Sequence, residues 1–405
     1  MTKASNNKTA LCQSAFGDFQ LKRIPEDKNL YAWNSADLYL LQHLFELSQL
    51  QQIDLCKARI LILNDSFGAL SVALARFSCD SYNDSFLAHH ALLKNLEHCS
   101  LKYKDKVKLL KSTDTLEGEY DLVLFKEVKN QAFLKDEMSK LFAHIHRDTI
   151  IIGSIMAKNL QRNTVELLNK TIGETKVSLT WKKARLLIIT PDTSLLEKVK
   201  RHQSKDTRQL NQNNDYQSEI SYYELENSKE KIYNYANVFS RNKLDIGTRF
   251  FLQHLPVEKT YKSIIDLGCG NGVLSLKIAQ YHPEATICCI DESYMAIASA
   301  SMTLQQNLPE KQAIHYYAGN ALDGISPESA DLILCNPPFH QQYIVGDAIA
   351  WQMFKQSKTT LIKGGELWVV GNRHLAYHLK LQKIFANCTL IASNKKFVIL
   401  KAVKT

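Results

Sequence analysis

No two of the nine cysteines in this 405-residue sequence are spaced as C-x-x-C. They stand at 12, 56, 79, 99, 269, 288, 289, 335 and 388, an odd and scattered set that argues against zinc and for reduced thiols. No apolar run approaches the roughly 20 residues needed to span a bilayer. The first residues, MTKASNNKTALCQ, lack the apolar core of a signal peptide. A soluble, cytoplasmic protein with no membrane and no metal partner is therefore expected. Acidic residues are in modest deficit, 41 against 50 Lys and Arg, for a net charge of +9. That imbalance mildly favours a polyanionic partner. Apolar residues, by contrast, make up 45% of the chain, enough for true cores and unlike a disordered chain. At this length about two domains are expected.

The clearest break is RHQSKDTRQLNQNNDYQSE, residues 201–219, where Leu210 and Tyr216 are the only sizeable apolar residues. Such a stretch cannot bury enough to fix itself and reads as an exposed linker. The division this suggests is 1–195, a linker over 196–219, and 220–405. Across the break the halves align without gaps. ILILNDSFGALSVALA (60–75) lies under IIDLGCGNGVLSLKIA (264–279), with Gly68 on Gly272. Further on, YDLVLF (120–125) resembles ADLILC (330–335), and KKARLLII (182–189) resembles KKFVILKA (395–402). Three blocks in one order point to two copies of a single α/β unit. The copies differ where chemistry would sit. Asn64, Ser66 and Gly68 stand against Gly268, Gly270 and Gly272, and Lys126-Glu127-Val128-Lys129 against Asn336-Pro337-Pro338-Phe339. The first copy is expected to keep the fold and to have lost the reaction.

In the second half, residues 264–279 read as strand, glycine turn and helix, with Asp266 near the strand's end. Alternate glycines let a backbone pass close beneath a ligand, and the helix start offers free N–H groups. A second apolar run, TICCIDES (286–293), ends in Asp291, nineteen residues past Gly272. An acid there accepts from the ribose hydroxyls of a nucleoside ligand in doubly wound folds; the competing role is a helix cap, which Ser293 could also fill. The spacing D-x-G-x-G-x-G departs from the dinucleotide fingerprint G-x-G-x-x-G. DLGCGNG instead resembles the first motif of S-adenosylmethionine-dependent methyltransferases. That resemblance implies Asp266 near the cofactor's ammonium, Asp291 on its ribose, and Asn320, in AGNAL (318–322), at its adenine. Asn320 could equally be a turn residue.

The run ADLILC stops on Asn336, and two prolines and Phe339 follow. Prolines fix φ and remove two backbone donors. The Asn336 side-chain oxygen and the Pro337 carbonyl remain as acceptors, suited to an –NH₂ group. Acceptors out of the ring plane would draw a planar amine toward tetrahedral geometry and free its lone pair to attack a methyl group. Phe339 offers a face for a base to stack on, and His340 could touch RNA or merely start a helix. The pattern by itself leaves adenine N6, guanine N2 and a glutamine amide open.

Longer stretches narrow the choice. NVFSRNKLDIGTRFFLQHLP (237–256), DLGCGNGVLSL, LCNPPFHQQ (334–342) and QKIFANC (382–388) resemble the bacterial ribosomal RNA guanine-N2 methyltransferases. YAWNSADLYLLQ (31–42), LILNDSFGALS (61–71) and WKKARL (181–186) are similar to the large-subunit methyltransferase G family in particular, with the small-subunit family C as a near relative. The resemblance implies an α/β chain of two tandem Rossmann-like class I methyltransferase domains, the N-terminal one degenerate. It implies methyl transfer to guanine N2 in 23S ribosomal RNA. A paired guanine would have to leave its stack to reach the pocket, so a loop, or protein-free or partly assembled RNA, is the expected substrate; a monomer is expected. It puts Phe239 against the cofactor, where the alternative is a buried helix-entry staple. Lys182, Lys183 and Arg185 in the first domain, and Arg241, Lys243, Arg373, Lys395 and Lys396 in the second, are the candidates for phosphate contact.

Overall fold

The computed structural model describes residues 10–27, 30–99, 101–197, 220–226, 228–338 and 343–405. The chain separates into two compact units, Met1–Glu219 and Ile220–Thr405. Most of the polar stretch expected as a linker lies outside the described residues. Leu196, placed at its head, is buried in the core of the first unit.

Unit 1 opens with a hairpin, β1 (Ala10–Ser14) and β2 (Gly17–Leu21), followed by α1 (Ser35–Gln49). Its main sheet contains β3 (Ile60–Leu63), β4 (Cys79–Asn83), β5 (Val107–Lys111), β6 (Tyr120–Lys126), β7 (Ile145–Met156), β8 (Gly173–Val177) and β9 (Ala184–Pro191). Between them run α2 (Ala69–Leu74), α3 (Phe86–Cys99), α4 (Gln131–Phe142) and α5 (Arg162–Thr171). The spatial order is β5-β4-β3-β6-β7-β9-β8.

Unit 2 begins with the hairpin β10 (Ser221–Glu224) and β11 (Lys231–Asn234), then α6 (Ile246–Leu252). Its sheet contains β12 (Ser263–Leu267), β13 (Thr286–Asp291), β14 (Ile314–Ala318), β15 (Ala330–Cys335), β16 (Leu361–Asn372), β17 (Thr389–Ser393) and β18 (Phe397–Val403). The helices are α7 (Val273–Tyr281), α8 (Tyr294–Asn307), α9 (Tyr343–Thr360) and α10 (Tyr377–Phe385). The order is β14-β13-β12-β15-β16-β18-β17, the same permutation as in unit 1.

The registers match as well. Ile60 pairs with Leu122 in the first sheet and Ile264 with Leu332 in the second, the residues the sequence alignment superposes. Five strands in each sheet run parallel, and the last two pair antiparallel to complete it. The parallel strands are covered on both faces, which explains their unbroken apolar runs. In unit 2, Leu332 and Leu334 enter one core while Ile333 and Cys335 enter the other. Loops at the carboxyl ends of parallel strands are where such sheets place ligands. Among the described residues no helix is long and apolar enough to cross a membrane.

Candidate active site

In unit 2 that edge is built first by the end of β12. Asp266 is fully buried. Its Oδ2 accepts from the Ser275 backbone N–H at 3.0 Å and from the Ser275 hydroxyl at 2.6 Å, tying the strand to the first turn of α7. Its Oδ1 has no hydrogen-bond partner among the described residues. Burial raises the carboxyl to about 6, against the Ser275 bonds and with help from the Asp291 charge. A cation against Oδ1 would restore the charged form. The orphaned oxygen therefore fits the ammonium of S-adenosylmethionine.

Gly268, Gly270 and Gly272 all have positive φ, at 80°, 54° and 79°. Two of them serve different ends. A Cβ on Gly272 would stand 2.7 Å from a Leu304 methyl and 2.9 Å from the Ala300 Cα, so this glycine lets the turn close on α8. A Cβ on Gly270 would meet nothing within 4 Å, so that residue borders open space. The Gly270 N–H donates to Asp291 Oδ2 at 2.9 Å, and Asp291 Oδ1 accepts from the Ser293 N–H at 3.0 Å. The cap of α8 is Ser293, whose hydroxyl accepts from the Ala296 N–H at 3.0 Å. Asp291 thus braces the turn without being the cap, and a carboxylate keeps acceptor capacity beyond two bonds. Asn271 is held in turn by Asn234 at 2.9 Å and by the Tyr223 hydroxyl at 3.4 Å.

The remaining expected cofactor residues differ in how they are held. Gly319 follows β14 and donates to the Asp291 carbonyl at 2.9 Å, bringing the next residue, Asn320, to the Asp291 end of the sheet. The Asn320 amide donates to Asp323 at 2.7 Å and its carbonyl accepts from the Asp323 N–H, the bonds of a turn residue. Phe239 is 57% exposed, which does not suit a buried staple.

Asn336 leaves β15 beside the glycine turn, its main-chain oxygen 3.5 Å from where a Gly268 Cβ would be. Its side-chain Nδ2 donates to Thr248 Oγ1 at 3.0 Å. Thr248 is buried, and its hydroxyl and backbone N–H both face the Asp245 carboxylate, at 3.4 and 3.0 Å. A carboxylate only accepts, so the threonine proton points at Asp245 and its lone pair at Asn336. This chain of bonds sets which way the asparagine amide faces. Asn336 Oδ1 is left buried with no partner among the described residues. Pro337 is buried and Pro338 exposed, while Phe339 and His340 lie outside the described residues. Thr248 and Asp245 were not among the expected site residues. The spacing D-x-x-T at a helix start was their only signal, and it reads as an ordinary cap.

The same edge of unit 1 carries different side chains. Asp65 takes over the part of Asp266, accepting from the Ser71 N–H and hydroxyl at 2.8 and 2.9 Å; its Oδ1 likewise has no hydrogen-bond partner among the described residues, but here the Lys126 charge acts on the carboxylate. Asn64 keeps a left-handed φ of 63° at the Gly268 position, with its amide on the buried Glu137 at 2.9 Å. At the Asn336 position stands Lys126, ion-paired to the fully buried Asp37 at 2.6 Å. An ammonium there offers only donors, and its charge opposes a sulfonium.

Among the basic candidates, Lys182 and Lys183 form the two-residue tip of the β8–β9 hairpin, both at positive φ, 45° and 67°. Trp181 and Ala184 close it with two backbone bonds. Lys182 Nζ lies 4.5 Å over the Trp181 ring, and Arg185 donates to Thr180 at 2.8 Å. In unit 2, Arg373 donates to the carbonyls of Lys396 and Asn394, which brings it together with exposed Lys395 and Lys396. Lys243 is exposed, and Arg241 is half-buried in the segment before α6.

The strand order, the glycine turn after the first strand and the acid ending the second define a class I S-adenosylmethionine-dependent methyltransferase fold. The Methyltransferase small domain family matches residues 229–401, and the RLMG N-terminal domain family matches 9–193. The chain is 42% identical to the ribosomal RNA large subunit methyltransferase G of Vibrio vulnificus (strain YJ016), over 95% of this chain and 96% of that one. Against the protein of the same name from Ectopseudomonas mendocina it is 42% identical, over 96% and 98%. The chain belongs to the ribosomal RNA large subunit methyltransferase G family. Among solved structures, the T. thermophilus 16S rRNA guanine-N2 methyltransferase RsmC, in complex with AdoMet and guanosine, has the same fold. Its TM-score is 0.72 at 16% identity, covering 98% of each chain.

Proposed function

We propose that the protein transfers a methyl group from S-adenosylmethionine to the exocyclic N2 amine of one guanine in 23S ribosomal RNA, acting as a cytoplasmic monomer on protein-free or partly assembled RNA. The observation that carries this reading is the buried Asn336 Oδ1, aimed by Thr248 and without a hydrogen-bond partner among the described residues, beside the glycine turn. The cofactor supplies an electrophilic methyl on a sulfonium. Asp266 Oδ1 receives its ammonium, Asp291 its ribose, Asn320 and Phe239 flank its adenosyl part, and Gly270 leaves room for its chain. Asn336 Oδ1 and the Pro337 carbonyl accept from the guanine NH₂ and hold it out of plane, and Phe339 stacks on the base. The N–C bond would form as the C–S bond of the sulfonium breaks, leaving a neutral thioether, and the methylated nitrogen would then lose a proton to solvent; no acid or base need act while the bond forms, and positioning supplies most of the effect. A paired guanine must leave its stack to reach such a pocket, which favours loops or incompletely assembled RNA.

The first unit holds RNA. Its hairpin tip presents Lys182 and Lys183 beside a shallow recess lined by Met156, Ala157, Lys158, Thr180 and Lys183. Left-handed lysines cost about 1–2 kcal/mol each where Asn-Gly would not, so some use maintains them. In unit 2 Arg241, Arg373, Lys395 and Lys396 extend the phosphate-binding surface.

The test is nucleoside mass analysis of ribosomal RNA from cells lacking the protein, incubated with purified enzyme and labelled cofactor. N2-methylguanosine is the expected product, and its absence overturns the reading. Methyladenosine, or label in protein glutamine, would instead establish a different amine. Asn336→Ala is expected to lower turnover by about 10²-fold with cofactor affinity retained.

A further inference from the structure

An acceptor corner that grips an amine does not choose among amines, because adenine, guanine and a glutamine amide all present –NH₂. Guanine differs in carrying a second donor, N1–H, next to its N2 amine. Adenine has a bare ring nitrogen next to its amine. A site selective for guanine therefore needs a second fixed acceptor near the first.

The structure holds one on the neighbouring strand. Asn372 ends β16 and is only 8% exposed, yet its Oδ1 has no hydrogen-bond partner among the described residues. Strand β15 pairs in parallel with β16, Cys335 standing opposite Val369. Asn336 is one residue past that pair and Asn372 three. Strand spacing and rise then put their Cα atoms about 8 Å apart. Leu332 and Leu334 of β15 and Trp368 and Val370 of β16 line one core, and period two carries Asn336 and Asn372 onto that same face. The first turn of α6 reaches both positions. Thr248 bonds Asn336, and Gly247 beside it abuts the ring of Phe397, the residue paired with Asn372. An asparagine closes an apolar strand in both places, LILCN and LWVVGN.

We propose that Asn372 is the specificity residue, its Oδ1 accepting the guanine N1–H while Asn336 accepts the N2 amine. This rests on the guanine-N2 reading above. Two buried carbonyl oxygens at neighbouring strand ends on one sheet face match in number and kind the two adjacent donors of guanine. Against adenine the same Oδ1 would face a ring lone pair, leaving both groups unsatisfied, which is a strong means of rejection.

The experiment compares two RNA substrates that differ only at the target nucleotide, guanine or 2-aminopurine. The second keeps the 2-amine and lacks N1–H. Wild-type enzyme is expected to prefer guanine by roughly tenfold to a hundredfold in kcat/KM, the range a buried hydrogen bond carries. If wild type makes no N2-methylated product on either RNA, the functional reading itself has failed. If it methylates both equally, the N1–H is not read and only the Asn372 proposal falls. Asn372→Ala should lose most of its rate on guanine and little on 2-aminopurine, so the preference collapses. Asn372→Asp, which keeps an acceptor, should retain the preference. Equal losses on both substrates in Asn372→Ala, with cofactor affinity and Tm unchanged, would overturn the assignment, as would loss of preference in Asn372→Asp. Should Asn372→Ala fail to fold, Asn372→Leu, close in shape and lacking the acceptor, makes the same comparison, with collapse of the guanine preference expected and an unchanged preference overturning the assignment.

Discussion

Asn336 can do nothing specific unless its amide faces one way, since the oxygen accepts and the nitrogen repels an incoming amine. The orientation is set by Thr248, whose own proton is directed at Asp245. Thr248→Val keeps the shape and removes the hydroxyl. The amide is then free to turn, and kcat is expected to fall roughly 10- to 100-fold, as small misplacements of reacting groups do. KM for the cofactor should stay near its wild-type value, and Thr248→Ser should restore most of kcat. A purely structural part for Thr248 would instead lower Tm without this kcat-selective loss and rescue. At this scale the sequence was legible where a residue type announces its chemistry. Asn336, Asp266 and Asp291 are polar residues ending apolar strands, and that contrast is visible in one dimension. Thr248 was illegible because a hydroxyl in a first helical turn is ordinary and its partner lies 88 residues away. Asn372 carried the same strand-ending signal as Asn336 but lacked the prolines that drew attention to the other.

At the scale of elements, the glycine turn separates two requirements that the motif merges. Gly272 is needed by packing, for Leu304 and Ala300 occupy the space of a side chain. Gly270 is needed for room. Gly272→Ala is therefore expected to destabilise unit 2 by about 2–4 kcal/mol, combining left-handed strain with overpacking. Gly270→Ala should cost only about 1 kcal/mol from strain while weakening cofactor binding, because its Cβ would project into the free space. Calorimetry and cofactor titration on the two variants check this; if Gly270→Ala alone destabilised strongly, or Gly272→Ala alone lost affinity, the assignment would be reversed. Strands and their order were legible because buried parallel strands read as apolar runs punctuated by turns. The sequence motif could not divide the glycines, because which neighbour fills the space beside each is decided by α8, some thirty residues on.

For the whole molecule, two sheets of one strand order raise the question of how many cofactors bind. Their matching registers, Ile60 with Leu122 and Ile264 with Leu332, mean that the ligand edges are geometrically equivalent. Their chemistry differs at two positions, where unit 1 has Lys126 for Asn336 and Asn64 for Gly268. Among the described residues, unit 2 leaves acceptors bare at Asp266 and Asn336. Unit 1 places its own side chains at the corresponding positions, with Asp65 on Ser71, Asn64 on Glu137 and Lys126 on Asp37, though Asp65 Oδ1, like Asp266 Oδ1, has no hydrogen-bond partner among the described residues. Burial works to lower the Lys126 pKa, but Asp37 and Asp65 outweigh it and hold it above the ordinary lysine value, so that edge carries a resident cation. Lys126 stands at the position of Asn336, so a sulfonium placed there would meet an ammonium instead of an amide oxygen, and the carboxylates beside it are already engaged by that lysine. Equilibrium titration of the full chain should accordingly saturate at one S-adenosylmethionine per polypeptide, and two equivalents would refute this account of the first unit. Replacing Lys126 should not open a second site. Lys126→Met would strand Asp37 and Asp65 as buried carboxylates lacking their cation, at a cost of about 3–5 kcal/mol. The expected outcome is a lower Tm with binding still saturating at one equivalent, because the lysine has become part of what folds the domain.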